Sequence, residues 1–253
     1  MELYKAAQEF FDFLKKSQFI VALTGAGVST ASGIPDFRGP NGLYKRLPKN
    51  IFDLEFFKNN PAKYYELTLD LVHSFDEKQP SMTHKMLSKL ENEGYLEGVI
   101  TQNIDGLHQK AGSKKVVELH GNTSRFICMQ CGNIYSKEEL IKILEKKNPP
   151  ECNCGGLIKP DVVFFGEMLP MGALDQAEKL SLKADLFAAL GSSLLVYPAA
   201  QFPVISKRNG SRLIIVNKGK SGLDSIADSK IDGDLEEFSK HVINLLEKGR
   251  HIS

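Results

Sequence analysis

The apolar positions of the first sixteen residues recur at helical spacing. Over residues 2–16 they lie along one side of a cylinder, and charged residues occupy the rest of it. A compact apolar block follows at 19–23 and ends at Gly25-Ala26-Gly27, as expected of a buried parallel strand that leads into a glycine turn. This order of helix, strand and glycine turn predicts an α/β domain.

Further strand-sized apolar blocks recur along the chain, and stretches with helical periodicity separate several of them. We predict strands at 99–101, 116–119, 162–165, 186–190 and 213–216. Together with the first block they predict a Rossmann-like, mostly parallel sheet with helices on both faces. Sheets of this kind bind ligands beyond the carboxyl ends of their strands. The polar and glycine-rich residues that follow most of the blocks are therefore candidates for a site.

Two segments interrupt this alternation. Residues 40–80 predict a loop with short helices, and residues 125–156 contain all four cysteines. Within the second segment a helix is predicted at 137–147, and Ser136 with Glu139 forms the capping box at its start. We predict that 40–80 and 125–156 form a small domain inserted in the chain. The large domain would then comprise 1–39, 81–124 and 157–253.

Composition places the chain among ordinary globular proteins. It has 253 residues, of which 42% are hydrophobic and 25% charged. The net charge of +1 gives no overall field that would attract nucleic acid or an anionic membrane. The first residues lack the features of a secretory signal, and the apolar runs are far shorter than the roughly 18 residues of a membrane span. We expect a cytoplasmic protein with no membrane partner and no direct nucleic-acid partner.

The four cysteines lie close together in the sequence. They are Cys128, Cys131, Cys152 and Cys154. Four thiolates are the usual closed shell of structural zinc, which leaves no open position for chemistry. Cys152 and Cys154 depart from the usual Cys-x-x-Cys spacing and need a sharper bend, for which the next two glycines supply backbone freedom. A disulfide pair is the alternative, although a reducing compartment disfavours it.

The glycine turn and the residues after it suit a ligand loop. Residues 25–30 let the backbone approach a pyrophosphate closely, although Thr30 stands where the dehydrogenase fingerprint has its third glycine. The alternative is a tight strand-to-helix turn. Residues 31–39 have the composition of a loop that closes over a ligand. Phe37 could instead be a buried anchor and Arg38 a surface charge.

Taken together, these segments resemble the signature motifs of the sirtuins, which are NAD-dependent protein deacylases. The residues that carry the resemblance are 25–29, 33–39, 101–105, 120–121, 160–167 and 191–193, together with the four cysteines. The resemblance spans nearly the whole chain. It implies a Rossmann-like large domain, a small domain that carries structural zinc, and an active site in the cleft between them.

Three polar residues just past predicted strand ends are the candidate catalytic groups. A neutral imidazole can accept a proton from a hydroxyl, and a carboxylate can accept hydrogen bonds from an amide. Most histidines have surface or capping roles, and His84 near a helix start fits that description. By resemblance His120 is the general base, Asn103 positions a water or ribose hydroxyl, and Asp105 holds nicotinamide.

The resemblance also implies which residues contact the two substrates. The cofactor-binding residues would be Gly25, Ala26, Gly27, Thr30, Asp36, Phe37, Arg38, Gln102, Asn103, Ile104, Asp105, His120, Gly191, Ser192, Ser193, Asn217 and Asp234. The acyl-lysine peptide would contact Phe37, Val163, Phe165, Gly166, Glu167, Leu194, Leu195 and Val196. Part of 159–167 is ordinary core strand in the alternative interpretation. Ser192 and Ser193 could likewise cap a helix.

The implied activity is that of an NAD-dependent protein-lysine deacetylase, which transfers acetyl from acetyl-lysine to ADP-ribose and releases nicotinamide. Its partner would be an acetylated protein or peptide, and a monomer is expected. One alternative transfers ADP-ribose to a protein or to water. Another is a zinc-containing interaction or nucleic-acid module. A dehydrogenase is disfavoured because no acidic residue is found at the end of the second strand to hold the adenosine ribose.

The expected acyl preference follows from the segment after Asn60-Pro61. Sirtuins that favour succinyl or malonyl lysine carry a tyrosine and an arginine there, three residues apart. In that register this chain has Thr68 and Leu71. No cation is available at these two positions to pair a buried carboxylate, whose desolvation would be uncompensated. We therefore expect deacetylation over desuccinylation.

Overall fold

The structure, a computed structural model, describes residues 2–37, 39 and 42–250, and the side chains at 71–74, 76, 249 and 250 are outside the described set. Strands and helices are numbered in chain order. The strands are β1 (Ile20–Thr24), β2 (Leu96–Thr101), β3 (Val116–Glu118), β4 (Gly121–Cys128), β5 (Ile134–Ser136), β6 (Ile158–Val162), β7 (Leu186–Leu190), β8 (Arg212–Val216) and β9 (Ser229–Ile231). The helices are α1 (Glu2–Lys16), α2 (Leu54–Asn59), α3 (Pro61–Glu77), α4 (Met82–Asn92), α5 (Leu107–Lys110), α6 (Lys137–Leu144), α7 (Met171–Lys183), α8 (Gln201–Arg208) and α9 (Leu235–Arg250).

The large sheet has the doubly wound order. Within the described chain its strands lie in the order β3-β2-β1-β7-β8-β9, and every pair is parallel. The order reverses between β1 and β7, so the loops that follow these two strands diverge and open a crevice at the carboxyl edge of the sheet. The predicted α/β fold class is confirmed, and the first predicted helix and strand are where the periodicity placed them.

Helices cover both faces of this sheet, as an all-parallel sheet requires. One core contains apolar side chains of α1, α4 and α9, and the other contains those of α7 and α8. All side chains of β1 and β7 are buried because they lie between these two layers. None of the described helices combines the length and the apolarity that crossing a membrane requires.

The prediction of a strand at 162–165 in the parallel sheet is wrong. The strand there is β6, which ends at Val162 and pairs antiparallel with β4 in a separate three-stranded sheet of order β5-β4-β6. An apolar run predicts buried backbone but does not specify a pairing partner. Residues 163–165 leave the sheet and run on toward the crevice.

The second sheet and the helical segment form one packed unit. Phe57 and Tyr65 of α2 and α3 share a hydrophobic core with Phe126, Leu140 and Ile158. The Tyr65 hydroxyl also donates a hydrogen bond of 2.8 Å to the carbonyl of Ile158. The predicted short helices of 40–80 include one of 17 residues, α3. The three-stranded sheet extends beyond the predicted limits 125–156 on both sides.

Candidate active site

A cleft of about 630 Å³ lies at the carboxyl edge of the large sheet, where small-domain residues close its opposite side. This volume is in the range of small-molecule and cofactor sites. The wall includes the predicted cofactor residues Gly25, Ala26, Gly27, Asp36, Phe37, Gln102, Asn103, Ile104, Asp105, His120, Gly191, Ser192, Ser193 and Asn217. It also includes the predicted peptide residues Val163, Phe165, Gly166, Glu167 and Val196.

Other predicted residues lie elsewhere. The Thr30 hydroxyl is outside the cleft wall as described and donates to the carbonyl of Gly27 at 3.0 Å. The Asp234 carboxylate accepts the Glu237 N–H at 3.0 Å and so caps α9. Leu194 is buried in a core cluster, and Leu195 is exposed outside the described cleft wall. Arg38 lies outside the described residues.

The glycine loop, residues 25–30, needs its glycines because it touches the loop around Gly191 that follows β7. The Gly27 N–H donates to the carbonyl of Gly191 at 2.9 Å. A Cβ at Gly27 would lie 2.8 Å from the Gly191 Cα, and one at Gly191, whose φ is +62°, would lie 2.6 Å from the nitrogen of Val28. A short 3-10 turn at Ala26–Val28 lies within the loop, and a second one at Thr30–Ser32 follows it. Close packing of the loops therefore requires these glycines whether or not a phosphate is bound.

His120 presents one basic nitrogen to the cleft. Its Nδ1 lies 2.8 Å from the carbonyl oxygen of Gln102. Because a carbonyl can only accept, Nδ1 carries the proton and Nε2 carries the lone pair. Burial lowers the pKa of His120 below its ordinary value of 6.5, although the Gln102 hydrogen bond acts in the opposite direction. At neutral pH the imidazole is therefore a neutral base, as proton abstraction requires.

Ser29 joins the other two candidate catalytic residues. Asn103 Nδ2 donates to the Ser29 hydroxyl at 3.0 Å and to the Gly25 carbonyl at 3.2 Å. The Ser29 hydroxyl in turn donates to Asp105 Oδ2 at 2.7 Å, and the Leu107 N–H donates to Oδ1 at 2.9 Å. Burial raises the pKa of Asp105. The two hydrogen bonds oppose that shift by stabilising the charged carboxylate.

These hydrogen bonds determine which side-chain atom of Asn103 can still bond to a ligand in the cleft. Both hydrogens of its side-chain amide are engaged, whereas none of the hydrogen bonds among the described residues involves its Oδ1. The carbonyl oxygen is therefore the atom with which Asn103 can accept a hydrogen bond from a hydroxyl or water in the cleft.

Some residues of the cleft wall were not predicted. Ser29 is one, and its partners Asp105 and Asn103 are 76 and 74 positions away in the sequence. Its only signal in the sequence is its place within the glycine loop, and that pattern indicates phosphate binding rather than a contact with Asn103 and Asp105. Lys218 and Lys220 also line the cleft. They lie within four residues of the end of β8, so their position after a predicted strand could have identified them.

The small-domain side of the cleft is apolar. Phe37 packs against Tyr44 and Phe52, and each pair of ring centroids is 5.7 Å apart. Tyr64 and Thr68 of α3 also line the cleft, and the Thr68 hydroxyl donates to the carbonyl of Tyr64 at 2.8 Å. Such walls suit an aliphatic chain rather than a charged group.

The four cysteine sulfurs fit one metal ion. All four lie within 4.8 Å of one another, and the pairs Cys128–Cys154 and Cys131–Cys152 are 3.5 Å apart. A tetrahedral zinc site with Zn–S bonds of about 2.3 Å needs sulfurs about 3.8 Å apart. The four thiols are free, and their separation is far from the roughly 2.05 Å of a disulfide. The Tyr135 hydroxyl also donates to the Cys152 sulfur at 2.9 Å.

The unusual Cys152-x-Cys154 spacing is accommodated by the local backbone. The Gly155 N–H donates to the carbonyl of Cys152 at 2.8 Å, and Gly155 has a φ of +86°. A Cβ at Gly156 would lie 2.7 Å from the Cys128 sulfur. The two glycines therefore make the bend and leave room for the sulfur, so this spacing does not prevent a four-cysteine site.

Comparison with known protein families shows to which family this chain belongs. The family model described as Sir2 family matches residues 25–198, which include the glycine loop, the catalytic candidates and the cysteines. The chain belongs to the Sir2 family. The sirtuin resemblance of its motifs is thereby confirmed.

Sir2 relatives match nearly the full length of the chain. An NAD-dependent protein deacetylase of Thermotoga maritima is 49% identical over 237 residues, which is 93% of this chain and 96% of the relative. A solved structure of Sir2 with a deacetylated p53 peptide and 3'-O-acetyl ADP ribose is 48% identical and has a TM-score of 0.91, over 94% of this chain and 97% of that one. A structure of Sir2 with a p53 peptide and NAD+ is 47% identical with a TM-score of 0.89, over 97% and 98%.

An ion pair between a buried lysine and a half-buried glutamate supports one wall of the cleft in this Sir2 chain. The Lys159 ammonium lies 3.2 Å from the Glu167 carboxylate and donates to the carbonyl of Val162 at 2.7 Å. The Glu167 carboxylate also accepts the Phe164 N–H at 2.8 Å. These bonds connect both ends of the segment 163–166, which lines the cleft. The Glu167 side chain therefore holds the segment in shape.

Proposed function

We propose that this chain is an NAD-dependent protein-lysine deacetylase that transfers acetyl from acetyl-lysine to ADP-ribose and releases nicotinamide. The observation that carries the proposal is the meeting of His120, Asn103 and Asp105 in one cleft of cofactor size. Membership of the Sir2 family supports it, as do the relatives named as NAD-dependent protein deacetylases.

The first step breaks the bond between nicotinamide and ribose. Asp105 accepts hydrogen bonds from the nicotinamide amide in the pocket that Phe37 and Ile104 help to shape. The acyl oxygen of the modified lysine attacks the anomeric carbon, and nicotinamide leaves with the bonding electron pair. The apolar wall around Phe37 holds the aliphatic lysine stem. Asp105 and Asn103 keep their mutual orientation because both bond to the hydroxyl of Ser29.

The second step moves the acyl group to ribose. His120 Nε2 removes a proton from a ribose hydroxyl, whose oxygen then attacks the acyl carbon, and Asn103 Oδ1 orients that hydroxyl or the attacking water. The lysine amine leaves with the electron pair of the carbon–nitrogen bond and takes up a proton. One water molecule then adds to the acyl carbon, and the bond from that carbon to the oxygen on the anomeric carbon opens, so the acetyl group stays on the attacking ribose oxygen. The products are lysine, nicotinamide and acetyl-ADP-ribose, so NAD serves as an electrophile and no hydride moves.

The reaction can be tested by its stoichiometry. Incubation of the protein with NAD and an acetyl-lysine peptide should give one nicotinamide and one acetyl-ADP-ribose for each lysine released, as measured by mass spectrometry. ADP-ribose attached to protein, or free ADP-ribose without acetyl, would instead indicate a transferase or a glycohydrolase. Loss of acetyl with NAD unchanged would refute the proposal.

The acyl group is expected to be acetyl rather than succinyl. Thr68, which lines the cleft and is 2% exposed, offers no positive charge to a succinyl carboxylate. Leu71, the other position of the comparison, has its side chain outside the described set. Matched peptides that carry acetyl-lysine or succinyl-lysine should differ in kcat/KM by at least tenfold, since an unpaired buried charge costs more than about 1.4 kcal/mol. Equal kcat/KM values would contradict this specificity.

The expected dependence of kcat/KM on pH follows from the lowered pKa of His120. The neutral imidazole is the active form, and burial lets it persist as the pH falls below the ordinary 6.5. The acidic limb of kcat/KM should therefore have its midpoint below pH 6.5, and a midpoint above that value would contradict the assignment. In Asp105→Asn the carboxyl cannot titrate, so the same limb should remain in the residual activity.

The remaining assignments concern the metal, the partners, the location and the oligomeric state. We propose that the four cysteines hold structural zinc and that acetylated proteins are the partners. The net charge of +1 favours no nucleic-acid partner. A cytoplasmic location agrees with the four free thiols, and a monomer stays a prediction that light scattering would test.

A further inference from the structure

The main chain of Asn103 is held by two buried threonines at the ends of neighbouring strands. Thr24 of β1 and Thr101 of β2 are register partners, and both are nearly inaccessible. The Thr24 hydroxyl donates to Thr101 Oγ1 at 2.9 Å. The Asn103 N–H donates to the same oxygen at 3.0 Å. The backbone direction at Asn103 therefore depends on a hydroxyl that the neighbouring strand holds in place.

A buried histidine sets the direction of this pair of hydroxyls. His108 of α5 is 1% exposed, and its Nε2 lies 2.8 Å from Thr24 Oγ1. The single hydroxyl proton of Thr24 goes to Thr101, so Thr24 must accept from Nε2–H. His108 Nδ1 then carries a lone pair and is buried without a partner among the described residues. This tautomer is favoured because a buried unpaired acceptor is tolerated better than a buried unpaired N–H.

A second buried histidine keeps the first in place. The rings of His84 and His108 pack edge to face with centroids 4.6 Å apart. His84 Nδ1 accepts the Ser81 N–H at 3.2 Å, and the Ser81 hydroxyl donates to the carbonyl of Val28 at 2.7 Å. His84 thus caps α4, as the sequence suggested, but it is fully buried rather than at the surface. The histidine pair is therefore anchored to the glycine loop.

Together these contacts surround Asn103. Its side-chain amide donates to Ser29, next to the Val28 that Ser81 holds, while its main chain is held through Thr101. Burial lowers the pKa of His84 to about 4 and that of His108 well below its ordinary range. Both imidazoles are therefore neutral at physiological pH, and the donor pattern does not change in the working range.

We propose that Thr101, Thr24 and His108 are positioning residues for the reaction, which act by orienting Asn103 toward the reacting ribose. This rests on the proposed function. None of the three side chains lines the described cleft wall, so they act through Asn103 rather than on substrate. Loss of the chain of hydrogen bonds should reduce kcat, because the reacting groups are misaligned after binding, and should leave the KM of the peptide unchanged.

Two pairs of variants at Thr101 and His108 test the inference. Thr101→Val keeps the shape and removes the hydroxyl, whereas Thr101→Ser keeps the hydroxyl. We expect kcat per folded enzyme to fall at least tenfold in the valine variant, toward the roughly 10²-fold that a misplacement of about 1 Å can cost. The serine variant should stay near wild type. His108→Leu and His108→Gln repeat the comparison, since the glutamine amide can still donate to Thr24.

Folding and activity are measured separately for each variant, by thermal melting and by the nicotinamide released from NAD and an acetylated peptide. If one pair does not fold, the other decides. Equal kcat per folded enzyme in valine or leucine variants and wild type overturns the positioning role and leaves the proposed function intact. The positioning role is also overturned if Thr101→Ser loses as much kcat as Thr101→Val and His108→Gln loses as much as His108→Leu. An inactive wild-type protein would overturn the proposed function, and the positioning role with it.

Discussion

Replacing His120 by alanine should lower kcat for deacetylation by about 10²–10⁴-fold, the usual contribution of general base catalysis. The structure leaves Nε2 of this imidazole as the basic atom, because Nδ1 donates to the carbonyl of Gln102. Burial keeps the ring neutral at pH 7 by lowering its pKa. The alanine variant has no group at this position that could accept the proton from a ribose hydroxyl.

The loss should be confined to the second chemical step. His120 acts after nicotinamide has left, so exchange of labelled nicotinamide into NAD should persist in His120→Ala when the acetylated peptide is present. His241→Ala is the matched control, since His241 lies on α9, away from the described cleft wall. It should keep wild-type activity. Full deacetylation by folded His120→Ala, or equal losses in both variants, would contradict the assigned base.

Replacing Cys128 by alanine should unfold the three-stranded sheet and abolish activity. Structural zinc contributes about 10–16 kcal/mol of apparent binding energy in zinc-finger peptides, and this energy stabilises the folded module. Cys128 ends β4 and its sulfur lies 3.5 Å from that of Cys154. The loss should spread, because Cys128 and Cys152 belong to the same hydrophobic core as Tyr64 and Phe164, which line the cleft.

Metal content and thermal melting measure this effect. The wild-type protein should contain one zinc ion per chain, and a chelator should lower its melting temperature as strongly as Cys128→Ala does. Ser136→Ala is the matched control in the same module, because it removes the hydroxyl that caps α6 and donates to Glu138, leaves all four cysteines in place and should cost about 1 kcal/mol. A metal-free protein with full stability would refute the zinc assignment.

The sequence was informative wherever burial follows a local period. The amphipathic stripe of α1 and the apolar blocks of β1 and β7 predicted elements that the structure contains. The capping box at Ser136 placed the start of α6 correctly. Such signals need only neighbouring residues, since a helix or a strand repeats every few positions. They fail at 162–165, where an apolar run could not reveal that β6 pairs with β4.

Contacts between residues that are distant in the sequence were harder to predict than helices and strands. Ser29 bonds to residues more than seventy positions away, and His84 meets His108 although they belong to different helices. Nothing in a local pattern distinguishes such residues from a loop serine or a surface histidine. Their roles depend on the order of the strands, which brings the ends of β1 and β2 together.

The amino-acid sequence by itself determined the α/β class, the family motifs, the cysteine cluster and the identity of the imidazole, amide and carboxylate of the cleft. Those features are carried by residue type and short spacing, which a linear chain displays directly. Tertiary structure alone decided that the two sheets are separate, that Ser29 couples Asn103 to Asp105, and that buried threonines hold the Asn103 backbone. These contacts arise only when packing of the core fixes the relative positions of distant strands, because hydrogen bonds require separations near 3 Å.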